Sequence, residues 1–95
     1  MALGEGDVLG DYRIVRLVGR GGMGAVYLAD DVRLGRKVAL KVLASEMAEL
    51  PGVRERFVRE SHLAAALDHP HILPIYEAGA VEGQLFMAMR YVPGP

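Results

Sequence analysis

The stretch GRGGMGAVY, Arg20 and its neighbours from Gly19 to Tyr27, sets four glycines into six positions directly ahead of a β-branched and aromatic run. Glycine loses more conformational freedom on folding than any other residue, so such a cluster beside a strand weakens the chain unless something requires it. The spacing is GxGxxGxV, carried by Gly19, Gly21, Gly24 and Val26. Three structures accommodate it. A dinucleotide-binding βαβ unit places a helix directly after the last glycine. A phosphate-covering hairpin places a strand there and lets backbone N–H groups approach a ligand closely. A plain hairpin with bulges uses no ligand at all. The residues after Gly24, AVYLADD, are strand-like and lead by a short turn into another strand, which favours a hairpin over the dinucleotide unit.

The rest of the chain supports an antiparallel reading. Tyr12 to Gly19 is β-rich, although its alternation is loose. In AVYLAD, Val26 and Leu28 share one face and Tyr27 takes the other; Asp30, Asp31 and Gly35 supply turn chemistry. Arg36 to Leu43 alternates cleanly, with Val38, Leu40 and Val42 on one side and Lys37, Ala39 and Lys41 on the other. Ser45 can cap a short helical turn over Glu46 to Leu50, punctuated by Pro51 and Gly52. Val53 to Leu67 contains no breaker and predicts a helix that stops before Pro70. Ile72 to Ala78 and Gln84 to Val92 predict two further strands around a turn at Gly79 to Gly83. The expected fold is therefore α+β: a five-stranded antiparallel sheet with one main helix and a short helix before it.

Composition narrows the functional classes. Ninety-five residues hold one small domain or a lobe of something larger, and the formal net charge of -1 gives no basic excess for nucleic acid, so any phosphate binding must be local. The absence of cysteine excludes disulfides and thiolate metal sites. His62, His69 and His71 lack metal-ligand spacing and read as structural or surface residues. The first residues, MALGEGDVLGDY, do not have the pattern of a signal peptide, and no apolar run reaches membrane-spanning length.

Only two lysines stand against nine arginines, which draws attention to Lys41. It shares a strand face with the small Ala39, leaving room for something flat beside something anionic. On a helical projection Glu60 falls within the stripe of Val53, Phe57, Leu63, Ala64 and Leu67. A carboxylate there needs a cation, since an unpaired buried charge is too costly. Arg56, one turn back, is the local candidate; Lys41, on the sheet against which the helix must pack, is the long-range one and is favoured by the glycine loop upstream.

LVGRGGMGAVY, VALK and the Glu60 helix followed by HPHI together resemble the N-terminal lobe of a protein kinase, and the GGMG variant with FVRESHLAAALDHPHILPIYEAG is similar to bacterial Ser/Thr kinases of the eukaryotic type. The resemblance covers residues from about 10 to 95. It implies a tail over residues 1–10, the ATP-binding lobe over 11–92 and the start of an inter-lobe linker at 93–95. It implies that Gly19, Arg20, Gly21, Gly22, Met23 and Gly24 form a cover over the ATP phosphates, and that Val18, Val26 and Ala39 line the adenine. By the same likeness Lys41 holds the α- and β-phosphates and is oriented by Glu60. Met89 takes the gatekeeper position, and the backbones of Arg90 and Val92 meet the adenine edge.

No HRD, DFG or APE motif occurs in these residues, so the resemblance implies that they do not transfer phosphate unaided and that Mg2+ ligands belong to the complete enzyme. The reaction implied for that enzyme is γ-phosphoryl transfer from ATP to protein Ser/Thr hydroxyls. Protein substrates would be met through the second lobe, in a cytoplasmic setting with a membrane anchor in many relatives. The competing reading is a non-catalytic interaction or dimerisation module with the same fold, for which Leu34 and Glu77 are the candidate homodimer contacts. Without a second lobe, the underside around Val26, Ala39 and Met89 is expected to be an exposed apolar surface, prone to self-association or to displacement of the helix.

Overall fold

The computed structural model describes residues 3–21, 24–44, 48–57, 59 and 75–91. Six strands form one antiparallel sheet: β1 (Val8–Leu9), β2 (Tyr12–Gly21), β3 (Gly24–Asp31), β4 (Arg36–Leu43), β5 (Ile75–Val81) and β6 (Gln84–Arg90). The spatial order is β1-β2-β3-β4-β6-β5, so β6 lies beside β4 and β5 forms the edge. The α+β architecture is as expected, with one strand more than the five read from the sequence. The addition is β1, in which Val8 and Leu9 pair with Arg13 and Tyr12. A two-residue strand leaves almost no alternation to read. Its pairing carries the end of the expected tail into the sheet.

Two irregularities explain why the alternation of β2 is loose. The pairing with β3 slips between Ile14 and Arg16 and again between Leu17 and Gly19, leaving Val15 and Val18 as extra residues. At a bulge two residues oppose one, so Val15 and Arg16 face Leu28, while Val18 and Gly19 face Val26. β4 has no such slip, and its observed limits are those expected.

The β3–β4 turn is built around Asp31, whose side chain is only 1 % exposed. Its Oδ1 accepts from the backbone N–H groups of Arg33 (3.1 Å) and Leu34 (3.3 Å), while Gly35 N donates to the Asp31 carbonyl at 2.8 Å. Asp30 belongs to the strand instead of the turn, paired with Arg13 on one side and Lys37 on the other. The β5–β6 connection is shorter than the sequence suggested. Gly79 to Val81 remain in β5, and only Glu82 (φ 51°) and Gly83 (φ 80°) turn the chain. Two positive φ values in a two-residue loop match the twist of the flanking strands.

The sheet buries both faces. Tyr12, Ile14, Tyr27, Val38, Leu40, Val42 and Phe86 form one cluster, in which Tyr12 and Phe86 meet edge to face at 5.5 Å. Leu43, Leu85 and Met87 form the other with Phe57, from a helical segment at 53–57. Arg54 Nη1 donates to the Gly83 carbonyl at 3.3 Å, tying that segment to the β5–β6 turn. Ala48 N donates to the Ala44 carbonyl at 2.9 Å. Ser45, Glu46 and the residues beyond 59 for which a helix is expected, with Leu63, Ala64 and Leu67, lie outside the described residues.

Candidate nucleotide-binding face

The second strand leaves Gly21 and the third begins at Gly24, with these two residues paired. The glycine segment is therefore the tip of a hairpin, and the strand after Gly24 removes the dinucleotide-fold alternative. Gly22 and Met23 lie outside the described residues. The glycines answer to different constraints. A Cβ on Gly24 would run into the Val42 carbonyl oxygen and lie 3.1 Å from Leu43 Cα, so β4 itself demands glycine there. A Cβ on Gly19 would meet nothing within 4 Å, and the sheet makes no such demand.

Register collects the expected site residues on one face. Gly19 lies opposite Val26, Val26 opposite Lys41 and Lys41 opposite Met87. In the next row Arg16 lies opposite Leu28, Leu28 opposite Ala39 and Ala39 opposite Met89. Directly opposed residues in antiparallel strands project to the same side, and the bulge adds Val18 to the first row. Val18 is 48 % exposed at the rim. The two rows thus present a largely apolar roof with the Lys41 ammonium in the first of them. Among the described residues, Lys41 is half-buried and has no hydrogen-bond or ion-pair partner. Glu60, its expected partner, lies outside the described residues, as does Val92. Arg20 and Arg90 are both exposed, and Arg90 lies opposite Val38.

The expected exposed underside is not found. Leu28 is 7 % exposed, Ala39 9 % and Met87 7 %, while Val26 and Met89 are half-buried. The helical segment is seated, with Phe57 3 % exposed against Leu43, Leu85 and Met87. Leu28 and Met87 belong to the roof although neither stood out in the sequence. The period-2 relation of Leu28 to Val26, and of Met87 to Met89, is the signal that places them there.

Charge bounds the roof. Arg13, Asp30 and Lys37 form a row across three strands, with Lys37 Nζ 2.8 Å from Asp30 Oδ1 and Arg13 Nη2 3.3 Å from Oδ2. Hydrogen bonds from Lys37 and then Arg13 hold the Asp30 carboxyl below its ordinary range. A second cluster lies at the β3–β4 turn, where Arg33 reaches Glu77 (3.1 Å), Asp11 (3.2 Å) and Asp31 (3.6 Å). The Glu77 hydrogen bond raises the Arg33 guanidinium further. Burial, and then the negative charges of Glu77 and Asp31, push the Tyr12 phenol up to about 12. Among the described residues, no group of three or more His, Cys, Asp or Glu is arranged to hold a metal ion.

A five-strand antiparallel core with a glycine hairpin above a strand lysine and a helix packed beneath it is the arrangement of a protein kinase N-terminal lobe. The sequence matches the protein kinase domain over residues 12–95, and the chain belongs to that family. It is 50% identical over 92 residues to serine/threonine-protein kinase PknJ of Mycobacterium tuberculosis, covering 97% of this chain and 16% of that protein. It is 46% identical over 90 residues to serine/threonine-protein kinase PknE of the same organism, covering 95% of this chain and 16% of that protein. A cysteine-to-alanine mutant of the M. tuberculosis PknI kinase domain superposes with a TM-score of 0.83 at 45% identity, over 99% of this chain and 38% of that one. The chain thus spans about a sixth of the length of these curated relatives. Kinase sequence of the bacterial serine/threonine type is what it carries.

Proposed function

We propose that these residues form the ATP-binding lobe of a protein serine/threonine kinase, with the functional lobe extending over 11–92 and the linker starting at 93. The observation that carries this reading is the row Gly19, Val26, Lys41 and Met87, with Ala39 in the next row: a half-buried ammonium under a glycine hairpin and beside a small residue in an apolar roof. In this reading Val18, Val26 and Ala39 pack on the adenine, with Met89 at its back. Backbone groups of Arg90 and Val92 take its edge, which explains why an exposed arginine is tolerated at 90. The hairpin from Gly19 to Gly24, with Arg20, Gly21, Gly22 and Met23, covers the phosphates, and Lys41 holds the α- and β-phosphates. Glu60, three residues beyond the buried Phe57 and so at same-face helical spacing, orients Lys41.

Positioning and charge neutralisation are the whole contribution of such a lobe. The complete protein supplies the catalytic base and the metal ligands, and it transfers the γ-phosphoryl group to serine or threonine of a protein substrate. Titration of the chain with MgATP, followed by amide shifts at Gly19 and Gly24, tests the site. Lys41→Met is expected to weaken the ATP response at least several-fold while leaving the adenosine response in place. An ATP response identical to that of the unmodified chain would overturn the role of Lys41.

One observation favours a second reading, an interaction module that assembles through the back of the lobe. Leu34 is 62 % and Val32 57 % exposed beside the Arg33–Glu77 ion pair. Sedimentation of the chain with Leu34→Asp distinguishes the two: loss of a dimer supports the module, and a monomer at every concentration removes it.

A further inference from the structure

Arg16 Nη2 donates to the Tyr91 hydroxyl at 3.3 Å, joining residues 75 apart in sequence. Their places in the sheet show where this contact runs. Arg16 begins the row Arg16, Leu28, Ala39, Met89, and Tyr91 follows Met89 by two residues, just past the end of β6 at Arg90. Neighbouring strands lie about 4.8 Å apart, so the three intervals from β2 to β6 amount to roughly 14 Å. The two side chains span that distance by extending toward each other beneath β3 and β4. Arg16 lies opposite Leu28, and Leu28 opposite Ala39, so the junction is made on the side of the sheet that carries this apolar pair, at the hinge end of the roof.

This placement bears on the burial of the roof. Leu28 and Ala39 are 7 % and 9 % exposed, and Arg16 and Tyr91 are the described side chains joined across their row. We propose that Arg16 and Tyr91 form a strap over the hinge end of the roof, which opens when a flat heteroaromatic ring enters against Leu28 and Ala39. The inference rests on reading this face as the ATP site, and it adds two specificity-determining residues to it. A single hydrogen bond to a neutral acceptor, with Arg16 exposed, is weak enough to yield to a ring. Ring binding then competes with strap closure, so removing the strap tightens binding.

The test uses the 95-residue chain and its Arg16→Ala, Tyr91→Phe and doubly substituted forms. Solvent paramagnetic relaxation at the Leu28 and Ala39 methyl groups reports the strap without any ligand, and Arg16→Ala is expected to increase it. Adenosine carries the ring without phosphate and so leaves Lys41 out of the measurement. Each single substitution is expected to tighten adenosine binding about two- to fivefold, and the double substitution no further, because both remove the same bond. Unchanged methyl relaxation overturns the strap, as does increased relaxation with adenosine binding unchanged or weakened. If the strap behaves as expected while Lys41→Met leaves the MgATP response intact, the phosphate assignment fails and the strap stands.

Discussion

Gly24 and Gly19 belong to one motif yet are held to glycine by different neighbours. Gly24 sits where a Cβ would collide with the β4 backbone, which cannot move without breaking its pairing with β3 and β6. Gly24→Ala is therefore expected to cost about 2–3 kcal/mol in chemical denaturation. Gly19→Ala meets open space and is expected to stay within about 1 kcal/mol of the parent while weakening nucleotide binding. Tyr12 offers a pH test. Its phenol, pushed up to about 12, holds its proton more tightly than the unfolded chain does near 10. As pH rises from 10 to 12 the unfolded state releases that proton first, so stability present below pH 10 falls across this window. Tyr12→Phe is expected to lose this part of the alkaline slope in denaturation curves measured at each pH.

Among the strands, legibility followed regularity. β4 alternates without interruption, and its limits could be read directly from Arg36 to Leu43. β2 could not be read so cleanly, because two bulges shift its phase while leaving its β-rich composition intact. Those bulges also bring Val18 to the row of Val26, so the feature that blurred the strand is the one that builds the roof. The β5–β6 hairpin shows a related limit: two glycines, Gly79 and Gly83, suggested a long turn, but only the second has a positive φ. Gly83→Ala is expected to cost about 1–2 kcal/mol, and Glu82→Gly to stabilise by up to about 1 kcal/mol, since Glu82 already occupies a left-handed conformation. Thermal unfolding of the two variants checks both signs.

For the molecule as a unit, the sheet keeps two sets of charged residues apart. Lys41 and the glycine hairpin occupy one side of β4, whereas the Arg33 cluster joins the β3–β4 turn to β5 through Glu77. The 95-residue chain contains no HRD or DFG motif. It is expected to show no phosphoryl transfer from MgATP to a protein substrate, with radiolabel incorporation as the measurement. Incorporation that vanished in Lys41→Met would overturn this expectation. Burial of Ala39 and Met87 likewise removes the strongest reason to expect self-association through the underside.

Residue type and spacing alone determined the glycine hairpin, the two faces of β4 and the membership of Lys41 in the face with Ala39, because period-2 alternation and chain punctuation are local properties. Those same local rules carry the resemblance to a kinase lobe. Tertiary structure decided which residues share a row, since register depends on pairing between distant strands and on bulges that a single strand does not announce. It also decided that Gly24 is held by the Val42 carbonyl, that Asp31 is buried within its own turn, and that Arg16 meets Tyr91 beneath the sheet. Each is a contact made through space, set by the packing of the assembled strands.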